Sequence, residues 1–76
     1  MKELLEYIAR HLVEDPDAVE VTDIEDDRGV VLQLKVAPDD MGKVIGRSGR
    51  MARAIRALVR AAGSRQDMAT KVEIVE

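Results

Sequence analysis

Gly46 and Gly49 bracket Arg47-Ser48, with Lys43 three residues upstream and Arg50 immediately downstream. Glycine accepts positive φ and, lacking a Cβ, lets another backbone come close. An apolar-periodic helical segment follows directly. The N–H groups of its first turn have no intrahelical partner and carry the positive end of the helix dipole. Arg47 inside the loop and Lys43 and Arg50 beside it add cationic charge. Together these residues describe a seat for a phosphodiester backbone. Two glycines at this spacing alone are weakly specific, since glycine also ends ordinary helices at simple helix–helix turns.

The charge distribution favours the phosphate reading. The net charge is −3, which spread evenly would argue against a polyanionic ligand. It is not spread evenly. Residues 1–40 carry four basic and twelve acidic side chains, whereas residues 41–66 carry seven basic ones (Lys43, Arg47, Arg50, Arg53, Arg56, Arg60 and Arg65) and no acid. Screening confines potentials to about 8–10 Å, so a local basic patch attracts phosphate even on an acidic protein. Arginines are also good helix formers on a solvated face. That alone does not account for a basic segment with no balancing carboxylate.

Catalytic readings are weak. The chain has one histidine, no cysteine and two serines, Ser48 and Ser64, neither near His11 in sequence. Without cysteine there is neither a disulfide framework nor a thiolate zinc site. Gly42 to Gly49 lacks the Lys-Ser/Thr that closes a nucleotide-binding P-loop. The acidic run Asp23 to Asp27 lacks EF-hand spacing and reads as a solvated turn. Neither an enzyme nor a bound cofactor or metal is expected. Aromatic stacking platforms for nucleic acid are excluded as well, because Tyr7 is the sole aromatic residue among Phe, Trp and Tyr.

The elements that position the loop follow from periodicity. The 76 residues form one domain with a thin core. Leu5, Ile8, Ala9 and Leu12 predict a helix over Lys2–Glu14 that stops near Asp15, ahead of Pro16. Val19, Val21 and Ile24 predict a strand with a bulge or a register shift near Asp23. Val30, Leu32, Leu34 and Val36 predict a second strand, joined to the first through a turn over Asp26–Gly29. Asp39 or Asp40 is expected to cap a short helix carrying Met41, Val44 and Ile45. After the glycine loop comes a helix over 50–62, with Met51, Ile55, Leu58, Val59 and Ala62 as its apolar stripe and Arg53, Arg56 and Arg60 opposite. Thr70 to Glu76 closes the order α-β-β-α-α-β. That order predicts an α+β fold of two layers, a three-stranded mixed sheet with helices on one face. Leu5, Ile8, Leu12, Leu32, Leu34, Ile55, Leu58, Val72 and Ile74 are expected to be buried.

Val44-Ile45-Gly46-Arg47-Ser48-Gly49-Arg50, set between two helices in this element order, resembles the KH RNA-binding domain in its type II form. The resemblance covers nearly the whole chain and is closest to the small stand-alone bacterial KH proteins, the KhpA family. It implies that Gly46 and Gly49 clamp the backbone of single-stranded RNA, that Arg47 and Ser48 form the variable centre, and that Val44 and Ile45 line an apolar groove for the bases. It also places a variable loop at residues 63–69, where Arg65 could reach RNA. Many KH sequences carry a large aliphatic residue where this chain has Ala52, which bears on the groove's width.

The resemblance further implies a role as RNA chaperone or post-transcriptional regulator, and a KhpB-like RNA-binding partner. One groove reads few bases, so a second copy or partner would supply added affinity, and a homodimer is expected. The competing expectation is a KH-like docking module for which RNA is secondary. No apolar run approaches the roughly 20 residues of a membrane span, no secretory leader is apparent, and the chain reads as cytoplasmic.

Overall fold

The computed structural model describes residues 1–64 and 69–75. Helix α1 spans Lys2–Leu12, strand β1 Glu20–Asp26, strand β2 Gly29–Lys35, helix α2 Met41–Ile45, helix α3 Arg50–Ser64 and strand β3 Ala69–Val75. Short 3-10 turns at Pro16–Ala18, Pro38–Asp40 and Arg47–Gly49 join them. The order and the mixed sheet are those expected. β1 and β2 are antiparallel, β3 runs parallel to β2, and β2 is central. Arg65 lies outside the described residues.

The hairpin forms because the Asp26 carboxylate accepts the N–H groups of Arg28 at 2.8 Å and Gly29 at 3.1 Å, closing a two-residue turn. The ladder from Glu20–Lys35 to Asp26–Gly29 is unbroken, so neither the bulge nor the register shift expected near Asp23 occurs. The uneven hydrophobic pattern has another cause. Val21 faces the core opposite Leu34, but β1 is an edge strand that runs beyond the helical layer. Asp23 and Glu25 are exposed, and Ile24 lies on the uncovered face.

The core sits between the sheet and the helices. Leu5 and Ala9 of α1, Leu32 and Leu34 of β2, Val44 of α2, and Ile55 and Val59 of α3 are essentially inaccessible. Burying an aliphatic side chain is worth roughly 1.5–3 kcal/mol, so this small set supplies most of the driving force. Ile8, Leu12 and Ile74 pack only partly against it. Leu58 departs from expectation: it is 56% exposed. Residues on a helix are about 100° apart. The stripe Ala52, Ile55 and Val59 is as wide as three strands can cover, and Leu58 falls outside it.

α1 ends at Leu12, earlier than Pro16 alone requires, and Val13 is already extended. Buried Asp40 explains the break. Its carboxylate accepts the N–H groups of Glu14 at 3.2 Å and Asp15 at 3.1 Å. It therefore does not bond to the N–H groups of α2, which has no side-chain cap. The Glu14 N–H, then the Asp15 N–H and the Lys43 ammonium, hold the Asp40 carboxyl below its ordinary value of 3.8, against the opposing effect of burial. This one side chain fastens the segment after α1 to the start of α2.

Candidate nucleic-acid interface

The turn between α2 and α3 is built on backbone angles that side chains rarely adopt. Gly46 has φ 74° and ψ 177°, a region essentially reserved to glycine. Its N–H donates to the Gly42 carbonyl at 2.8 Å and ends α2. A Cβ on Gly46 would lie 2.7 Å from the Met51 Cβ and 2.9 Å from the Met51 backbone nitrogen. Gly46 is thus pressed against the first turn of α3. Gly49 also has positive φ (74°), but a Cβ there would meet open space. Between them Ser48, at φ 55° and ψ 27°, occupies the left-handed region that few non-glycine residues visit. Arg47 and Ser48 form an exposed tip.

Arg53 braces that tip. Its Nη2 donates to the Ser48 carbonyl at 3.2 Å. One turn on, Arg56 Nε donates to the Val72 carbonyl of β3 at 3.3 Å. A groove of about 360 Å³ lies between these two bonds. Ile45 and Ile74 supply apolar walls, Ala52 lines the groove from α3, and Ser48 and Gly49 bound it at the loop end. It continues along β3 as a second recess lined by Arg56, Arg60 and Lys71.

The expected site residues separate into groups. Gly46, Arg47, Ser48, Gly49 and Ile45 stand at or beside the loop, and Arg50 is exposed just after it. Val44 does not line the groove: it is fully buried, because α2 turns that face to the core. Lys43 points away from the loop, with its Nζ 3.1 Å from Glu14 Oε1 and 3.4 Å from Asp40 Oδ1. The Glu14 carboxylate, then Asp40, raise the Lys43 pKa. Its charge is largely matched within the protein.

Arg56 also differs from expectation, whereas Arg53 and Arg60 are exposed, away from the buried stripe. Placed about 100° per residue, Arg56 lies only 40° or so from Ala52, on the flank of the buried stripe rather than opposite it. Arg53, Arg56 and Ile74 line the groove, although none of the three is among the expected site residues. Centring the stripe on Ala52 and Ile55 instead of Leu58 is the signal that would have found the two arginines.

Comparison with known proteins gives one consistent result. The family model described as KhpA/KhpB, KH domain, matches residues 2–74. A relative from Caldanaerobacter subterraneus subsp. tengcongensis, named RNA-binding protein KhpA, is 52% identical over 75 residues, covering 99% of this chain and all of the relative. One of the same name from Clostridium acetobutylicum is 49% identical over 75 residues, with the same coverage. Another from Aquifex aeolicus is 42% identical over 76 residues, covering all of this chain and 96% of that protein.

The loop geometry separates the two glycines by experiment. Gly46→Ala imposes both a forbidden backbone region and a clash with α3, and is expected to cost about 3 kcal/mol or more. Gly49→Ala imposes only left-handed strain, about 1–2 kcal/mol. Urea denaturation of both variants checks the order; equal losses would contradict the close approach at Met51.

Proposed function

This chain belongs to the KhpA/KhpB family of KH domains, and on that premise we propose that it binds single-stranded RNA as an RNA chaperone or post-transcriptional regulator of the cytoplasm. The observation that carries the reading is the glycine loop, whose exposed cationic tip opens onto a groove with aliphatic walls. One phosphate run sits against Gly46–Gly49, where the open space beside Gly49 permits close approach and Arg47 supplies charge. Arg50 adds charge from just outside. The following bases turn into the groove against Ile45, Ala52 and Ile74. A duplex keeps its bases paired and cannot offer them to such walls, so single strands are preferred. With three or four phosphates neutralised, the log–log salt slope is roughly −2 to −3.

The reading also assigns partners. Ala54, Ala57 and Leu58 form an outward face on α3 whose central leucine is 56% exposed. An apolar side chain left in water on a rigid helix favours pairing of two copies, and a homodimer would set two loops on one RNA. A KhpB-like RNA-binding protein is the second partner we assign.

Two experiments test these assignments. Replacing Arg47 and Ser48 together by Asp puts negative charge where phosphate sits, and Asp tolerates the left-handed angles of position 48. Affinity for single-stranded RNA, read by fluorescence anisotropy, should fall at least tenfold or so, since a charge-assisted bond is worth roughly 1.5–3 kcal/mol. The circular dichroism spectrum and melting temperature should stay as in the wild type. An unimpaired double variant would favour the docking-module alternative. For self-association, sedimentation velocity should show a wild-type dimer and a Leu58→Glu monomer. A wild-type monomer at all accessible concentrations would remove the homodimer.

A further inference from the structure

Arg56 occupies a place that generic phosphate attraction does not explain. It is half-buried, lines both the groove at the loop and the recess along β3, and is pinned through Nε to the Val72 carbonyl. β3 is an edge strand, paired only with β2. Its outer edge therefore presents backbone groups to the groove, and Arg56 takes up one of the acceptors. With Nε engaged, the two terminal nitrogens of the guanidinium remain as a planar fork of donors. Arg53, one turn earlier on the same helix, is held by the Ser48 carbonyl and lines the groove beside it.

The rest of the groove decides which base edge suits the fork. Among the described residues no acidic side chain lines the groove at the loop, and Ser48 is its only side-chain hydroxyl. The charged groups of the groove at the loop are thus donors only; the Glu73 carboxylate lies in the recess beyond, 3.9 Å from Lys71 Nζ. Adenine offers an acceptor beside a donor on its Hoogsteen edge, so one of its two groups meets a donor and is repelled. Guanine offers O6 and N7, two adjacent acceptors at the spacing of an arginine fork. Cytosine also has neighbouring acceptors, but on a single ring. The small side chain of Ala52 on α3 leaves depth for a two-ring base between Ile45 and Ile74.

We infer that Arg56 is the base-reading residue of this groove and that it selects guanine through the O6/N7 edge. The inference rests on the RNA-binding reading above and goes beyond it, because backbone clamping alone is indifferent to sequence.

The test uses the intact chain and short oligouridines carrying one central guanosine, adenosine, cytidine or 7-deazaguanosine. Wild type should bind the guanosine oligomer about tenfold tighter than the adenosine one, as expected of one bidentate pair. The 7-deaza analogue, lacking the N7 acceptor, should lose most of that preference. Arg56→Gln keeps neither the charge nor the fork, and Arg56→Ala removes the side chain; in both, the guanosine-to-adenosine ratio should fall to about one or below. Arg50→Gln, which removes charge outside the groove, should weaken all oligomers alike and keep the ratio. A guanosine preference that survives in Arg56→Gln and Arg56→Ala, or a wild type that binds all four oligomers equally, overturns the inference while leaving RNA binding standing. Failure of every oligomer to bind would overturn both.

Discussion

The backbone of Gly46 lies so close to Met51 that no side chain fits between them, and the working geometry depends on that approach. It turns the chain from α2 into α3 within a few residues. The tip Arg47-Ser48 then projects at the end of α3 instead of folding against it. The other end of α2 is held with equal firmness. Buried Asp40 gathers two N–H groups from the segment after α1 together with the Lys43 ammonium. A five-residue helix has little stability of its own. Fastened at Asp40, wedged at Gly46 and anchored in the core by Val44, it becomes a rigid support for the loop.

Rigidity matters because binding costs order. A loop already held in its strained conformation, with Ser48 left-handed and braced by Arg53, gives up little further freedom when it meets a phosphate. Such strain persists only where surrounding contacts over-determine it. Charge is arranged to the same end. The acids are concentrated in the segment after α1, the hairpin and the segment before α2, while the arginines of α3 flank the groove on one side of the buried stripe. The acidic remainder of the molecule sets its net charge but not the field in the groove, since screening keeps the two apart.

How much of this could be read from the residues differs from element to element. The element order, the antiparallel-then-parallel sheet and most of the core were legible because alternation over Val30–Val36 and helical spacing over Leu5–Leu12 are strong local signals. The loop was legible as a turn because two glycines around Arg-Ser stand between two helical patterns and admit backbone angles that side chains rarely adopt. What was not legible depended on tertiary contacts. Asp40 looked like a cap, and only the fold brings it beside Glu14 and Asp15. Lys43 looked like a ligand contact until that same cluster took up its charge. Leu58 and Val44 show that an apolar residue at helical spacing can lie on either side of the boundary of a core three strands wide. The same rotation of α3 brings Arg56 to the flank of the buried stripe, where helical spacing had set it opposite.

The central claim is that single-stranded RNA is held by the glycine loop and the seam between α3 and β3. Backbone amide resonances followed by NMR during titration with a short single-stranded RNA test it most directly. The account predicts that the largest shifts fall at Arg47, Ser48 and Gly49, then at Ala52 and Ile74, with Thr22 to Glu25 of the hairpin unmoved. Shifts centred on Leu58 or on the hairpin, with the loop silent, would contradict it.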